Sequence, residues 1–88
     1  MRIDKFLKVS RLIKRRTVAK EICEGHKILL NGKIAKPSAE VKVGDTVVIE
    51  IGYHLLEVRI LAILTSVRAN EASSMYEVLR DERKAEPL

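Results

Sequence analysis

Residues 26–38 read HKILLNGKIAKPS. Asn31-Gly32 stands between two apolar runs. A two-residue β-turn needs positive φ at both central positions, and Asn-Gly supplies it at least cost, so the spacing predicts a hairpin. Pro37 has no N–H to give to a ladder and marks where the pairing stops. Downstream, VKVGDTVVIEIG (41–52) continues in the same sense. A Gly44-Asp45 turn leads into a β-branched strand, Thr46 to Ile51, which Gly52 breaks. HLLEVRILAIL (54–64) is expected to be another strand, with a helix as the alternative.

Upstream of the hairpin the apolar period changes. Ile3, Phe6 and Leu7 recur at i, i+3, i+4, which predicts a short helix over 3–10 with Asp4 as its cap. Arg11 to Arg16 form a connecting turn. Thr17 is expected to cap a second helix reaching about Glu24, with Val18, Ala19, Ile22 and Cys23 as its apolar stripe and Gly25 closing it at positive φ. At the far end, NEASSMYEVLRDERK (70–84) reads as a final helix with the stripe Ala72, Met75, Tyr76, Leu79 and a fraying tail. The order helix, helix, hairpin, strand, strand, helix is α+β: two N-terminal helices packed on a small, mostly antiparallel sheet, plus a C-terminal helix.

Eighty-eight residues make one domain with a modest core. No apolar run approaches the ~20 residues of a spanning helix, so no membrane is expected, and the charged start "MRIDKFLKVS" lacks a signal core. A single cysteine, Cys23, forms no internal disulfide, which suits a reducing, cytoplasmic setting. Cys23 and His26 lie three apart with no second such pair to complete a zinc site, and His54 stands alone; no metal and no cofactor are expected.

Net charge is +5, and its distribution says more than its size. Residues 1–36 hold eleven Lys and Arg against three acids, a balance of +8; residues 37–88 hold six against nine, a balance of −3. The basic half is densest around LKVSRLIKRRT (7–17), where no acid interrupts the cations. Lys5 and Lys8 fall at i, i+3 on the first helix, Arg2 beside its start, Arg11, Lys14, Arg15 and Arg16 in the turn, and Lys20 one turn into the second helix. Folding the helices together pools these charges into a polyanion-binding surface, which gains affinity for nucleic acid by counterion release. A merely solubilising helix interleaves acids with its cations; this one does not. Its second helix starts Thr17-Val18-Ala19, without the polar base-reading side chains of a helix-turn-helix, and stacking aromatics are nearly absent. The cations suit gripping the backbone of structured RNA.

Residues 2–45, RIDKFLKVSRLIKRRTVAKEICEGHKILLNGKIAKPSAEVKVGD, resemble the S4-type RNA-binding domain. The resemblance is carried by Arg2-Ile3-Asp4, the basic turn Lys14–Thr17, Ala19, Ile22, Gly25, Asn31-Gly32, Pro37-Ser38 and Gly44-Asp45. Arg15 stands where many members carry Ser. This departure, the chain length and the tail NEASSMYEVLRDE are similar to a narrower group, the small stand-alone ribosome-associated quality-control factors. The resemblance implies an S4-type domain over residues 1–65 and a C-terminal helical extension over 66–88. It implies partners as well: rRNA of the large ribosomal subunit, peptidyl-site tRNA, and an RqcH-type protein that tails stalled chains with alanine. Arg2 and Arg16 are the leading contact residues, supported by Lys5, Lys8, Arg11, Lys14, Arg15 and Lys20; Asp4 and Asn31-Gly32 are structural first. The sibling group, small heat-shock factors that rescue large subunits, shares the front and usually carries a longer basic tail. A general structured-RNA-binding module is the remaining alternative. Enzymes also carry S4-type domains, but this chain has no room for their catalytic domain, no Gly-rich cofactor loop and no positioned nucleophile–base pair, so no enzyme activity is expected. A monomer is expected.

Overall fold

The computed structural model describes residues 1–83. Helix α1 spans Ile3–Val9 and α2 spans Arg16–Glu24. The strands are β1 (Ile28–Leu30), β2 (Lys33–Ile34), β3 (Thr46–Ile51), β4 (His54–Ile60) and β5 (Tyr76–Arg83), with a 3-10 helix, Ala69–Met75, before β5. All pairings are antiparallel, in the order β2-β1-β3-β4-β5.

The hairpin forms where the dipeptide places it. Asn31 and Gly32 sit at φ 51° and 84°, both left-handed, and Leu30 pairs with Lys33 across the turn. The Asn31 side chain then ties the turn to β3. Its Oδ1 accepts from the Thr46 N–H at 2.9 Å, and its Nδ2 donates to Asp45 Oδ1 at 3.1 Å. Asp45 Oδ2 accepts from the Lys42 N–H at 2.8 Å, closing the turn at Gly44, which sits at φ 95°.

One face of the sheet carries the core. Period-2 alternation aligns Ile28 with Ile49 and Leu56, and Leu30 with Val47 and Val58. Ile3, Phe6 and Leu7 of α1, with Ala19 and Cys23 of α2, pack against that face, and all five are essentially buried. Ile60 and Met75 close the core at the end where β5 begins. On the opposite face Glu57 lies across from Arg80 and Arg59 from Glu77, and both pairs make ion pairs, at 3.9 and 3.2 Å.

The C-terminal segment departs from the expected helix. Ala72 and Met75 are buried as their stripe requires, but the helix is a single 3-10 stretch that ends at Met75. Tyr76 to Arg83 are extended, and Leu79, expected on the apolar stripe, is 41% exposed. The cause is tertiary. Without β5, strand β4 would be a free edge; pairing Ile60 with Tyr76 and Val58 with Val78 satisfies its backbone instead. Segment 69–83 therefore completes the sheet of the N-terminal part. The expected fraying at 84–88 lies outside the described residues.

Smaller departures concern helix ends. Asp4 does not cap α1; the residue at that position is Arg2, and the first helical N–H groups donate to loop carbonyls, Ile3 to Ala39 at 2.7 Å and Asp4 to Pro37 at 3.3 Å. Thr17 does not cap α2 either. The cap falls two residues earlier, at an extended Arg15 whose carbonyl accepts from Ala19 N–H at 3.0 Å. Gly25 has φ −78°, and the left-handed residue after α2 is His26, at φ 61°. Val18, expected in the apolar stripe, is 38% exposed, while Ile22 packs against the core.

Candidate nucleic-acid interface

Asp4 organises the basic surface. Its side chain is 3% exposed, held down by the neighbours that bury α1. Oδ2 accepts from Arg2 at 3.1 Å, and Oδ1 faces Arg16 at 3.4 Å and accepts from the Lys5 N–H at 2.8 Å. Two guanidinium groups from different helices thus share one buried carboxylate. Each arginine side chain stays 47% exposed, so each keeps donors facing solvent. Like charges this close repel; the carboxylate offsets part of that and sets their orientation, leaving one unit of positive charge uncompensated. The N-terminus of α2 adds to this. Arg15 and Arg16 stand at the positive end of the helix dipole with no acid in its first turn, an arrangement that becomes favourable when an external anion arrives.

The eight cations expected at the site divide in space. Arg2, Arg16 and Lys20 line one open depression of about 270 Å³ together with Asp4 and Thr17. Lys8 and Arg11 line a second, smaller one of about 90 Å³ at the other end of α1, together with Val9, Thr65, Ser66 and Val67. Lys5 is half-buried between the two ends; Lys14 and Arg15 are exposed on the connection and line neither depression. Among the described residues, only Arg2 and Arg16 of the eight are ion-paired, both to Asp4.

Sequence reasoning missed two parts of this surface. Thr65 and Ser66 belong to an unpatterned loop far along the chain, and no local signal points to them. Lys33 and Lys36 were legible as cations but not as neighbours; they flank an apolar depression of about 380 Å³ that Leu30, Ile34, Ala35 and Ala39 line. Cys23 carries no reactivity here. Burial, then the negative charges of Asp4 and Glu24, push its thiol up to about 11 from an ordinary value of 9.0, so it stays protonated and a poor nucleophile at neutral pH.

The residues that form the hairpin, the Pro37 loop, the Asp45 turn and the Arg2–Asp4–Arg16 cluster form one continuous pattern, and the family model for the S4 domain matches it over residues 1–47. The chain belongs to the S4 domain family. It is 55% identical over 82 residues to a protein of Halalkalibacterium halodurans named RQC P-site tRNA stabilizing factor, with 93% of each chain covered. It is 37% identical over 78 residues to heat shock protein 15 of Escherichia coli, spanning 88% of this chain but 59% of that longer protein. In three dimensions it superposes on the structure of heat shock protein 15 of Vibrio cholerae, described as trimeric, with a TM-score of 0.83 and 34% identity, over 89% of this chain and 80% of that one. Asn31, Gly32, Gly44, Asp45 and the Pro37 loop build turns and caps, while Arg2 and Arg16 keep half-exposed guanidinium groups on Asp4. Among the described residues, no helix is long and apolar enough to cross a membrane.

Proposed function

We propose that the chain is a cytoplasmic, ribosome-associated quality-control factor that acts by binding RNA rather than by catalysis. In this reading the surface around Arg2, Asp4, Arg16 and Lys20 grips rRNA of the large subunit and the peptidyl-site tRNA of stalled complexes, with Lys5, Lys8, Arg11, Lys14 and Arg15 adding phosphate attraction. An RqcH-type partner extends the blocked chain with alanine while this protein holds the tRNA. The observation that carries the reading is the pair of half-exposed guanidiniums fixed on one buried carboxylate. That geometry prepays the ordering of two flexible side chains and presents planar, multi-donor groups suited to phosphate oxygens. The near full-length likeness to a P-site tRNA stabilizing factor supports the choice of tRNA and ribosome as the RNA.

Co-sedimentation with purified large subunits tests it. Arg2→Ala and Arg16→Ala each remove a charge-assisted contact, about 1.5–3 kcal/mol, and are expected to weaken binding roughly tenfold or more. Each variant also takes one of two guanidiniums from the buried Asp4 carboxylate, so its thermal midpoint should fall, and binding is compared at a temperature where the variant stays folded. A variant that pellets with subunits as the parent does would remove that residue from the interface.

The likeness to heat shock protein 15 keeps a second reading in play, rescue of large subunits that carry a blocked peptidyl-tRNA after heat damage. The particles a tagged chain retrieves from lysate separate the two. Subunits with peptidyl-tRNA and the alanine-tailing partner support quality control; the same enrichment only after heat shock, without that partner, supports rescue.

A further inference from the structure

We propose that the C-terminal end of α1 and the loop following β4 form a second phosphate subsite, which takes a phosphodiester of the same RNA that the arginine pair on Asp4 engages. This rests on the RNA-binding reading above and adds residues to it that lie outside the helix pair. It is lined by Lys8, Val9 and Arg11 from the helix end and by Thr65, Ser66 and Val67 from the loop. The lining is mostly polar, and the depression, about 90 Å³, is small enough for a single anionic group.

Three features point to an anion. First, Arg11 follows the helix in the left-handed conformation, φ 62°, a position that Gly or Asn fills with least strain. The backbone there needs only its N–H, which donates to the Lys8 carbonyl at 3.1 Å. The Arg11 side chain is exposed and makes no ion pair among the described residues, so the fold gains nothing from it that Gly would not supply better. Second, Thr65 and Ser66 hydroxyls have no protein hydrogen-bond partner among the described residues and line the same depression, where each can donate to a phosphate oxygen. Third, the loop is held in place before any ligand arrives. Leu61 and Ala62 N–H donate to the Met75 carbonyl at 2.8 and 3.3 Å, Glu71 N–H to Arg68 at 2.9 Å, and Ile63 and Val67 pack on the core. Two cations with two neutral donors, one from each side of the chain, match a phosphodiester better than a carboxylate, since four donors meet an anion with two free oxygens and two ester oxygens. The two ends of α1 lie about 10 Å apart, so the subsite and the arginine pair are spaced to contact nearby phosphates of one strand, or phosphates on two strands of one helix.

The test measures binding to purified large ribosomal subunits as a function of salt, for the parent and four variants. Arg11→Gly is compatible with its backbone and is expected to keep or raise the thermal midpoint, to weaken binding about tenfold, and to reduce the slope of log affinity against log salt by about 0.7–0.9. The double variant Thr65→Val, Ser66→Ala carries no charge change; it is expected to lose about threefold in affinity with the parent slope. Lys42→Ala removes a cation elsewhere on the surface and is expected to bind within twofold of the parent. The subsite is overturned if Arg11→Gly or the double variant binds as the parent does, or if Lys42→Ala loses as much as Arg11→Gly. Arg16→Ala separates the two ideas. If it loses binding while the subsite variants do not, the subsite fails and the RNA reading stands; if the parent itself does not bind subunits, both fail.

Discussion

Asp4 shows how one side chain serves both fold and surface. It is an acid in a basic motif, and by charge alone it opposes a polyanion. By geometry it is what holds Arg2 and Arg16 side by side. The two effects predict opposite signs for Asp4→Asn. Removing the charge raises the net charge by one unit above +5, so bare electrostatics predicts tighter RNA binding. Loss of the shared acceptor frees two long side chains and predicts weaker binding, by about tenfold, since each charge-assisted bond contributes about 1.5–3 kcal/mol when intact. We expect the weaker binding, read by co-sedimentation at fixed salt. Other single residues were legible to different degrees. Asn31 and Gly32 were fully so, because left-handed φ values at two consecutive positions leave little choice of residue. His26 in place of Gly25, and Arg15 in place of Thr17, were not. Capping rules rank side chains, whereas these ends are set by where the chain must turn to pack.

At the level of elements, β5 is the informative one. Its composition suits a helix as well as a strand, and the neighbour decides. Glu77 faces Arg59 across the ladder, and Arg80 faces Glu57 after a register shift that leaves Leu79 as the extra residue. A charge exchange reads out this register. Arg59→Glu and Glu77→Arg singly place like charges opposite each other and should each cost about 0.5–1 kcal/mol in chemical denaturation; together they should restore most of the loss. A helical segment would show no such recovery. The first two helices were legible because the apolar period, Ile3, Phe6, Leu7 and then Ala19, Ile22, Cys23, repeats at helical spacing. The 3-10 helix and β5 were not, because Ala72, Met75, Tyr76 and Leu79 mimic that spacing over a short span.

For the whole molecule, charge is segregated along the chain. The +8 of residues 1–36 gathers on the helices and the hairpin, the −3 of residues 37–83 on strands β3 to β5 and their loops. Among the described residues strand β5 leaves an eight-residue edge unpaired, and the edge is blunted: five of its eight residues are charged, and a register shift at Leu79 interrupts it. We therefore expect a monomer, in contrast to the trimer described for the Vibrio relative, and light scattering at physiological salt should give the mass of one chain. Sequence by itself determined the α+β class, the hairpin, both front helices and the identity of the cations, because each rests on local chemistry: backbone dihedrals, apolar period, and charge that no neighbouring acid neutralises. Tertiary structure alone decided the last strand and the grouping of the cations. A strand needs a partner edge, and two arginines fourteen positions apart share a carboxylate only after their helices pack, so both outcomes depend on contacts that no stretch of sequence contains.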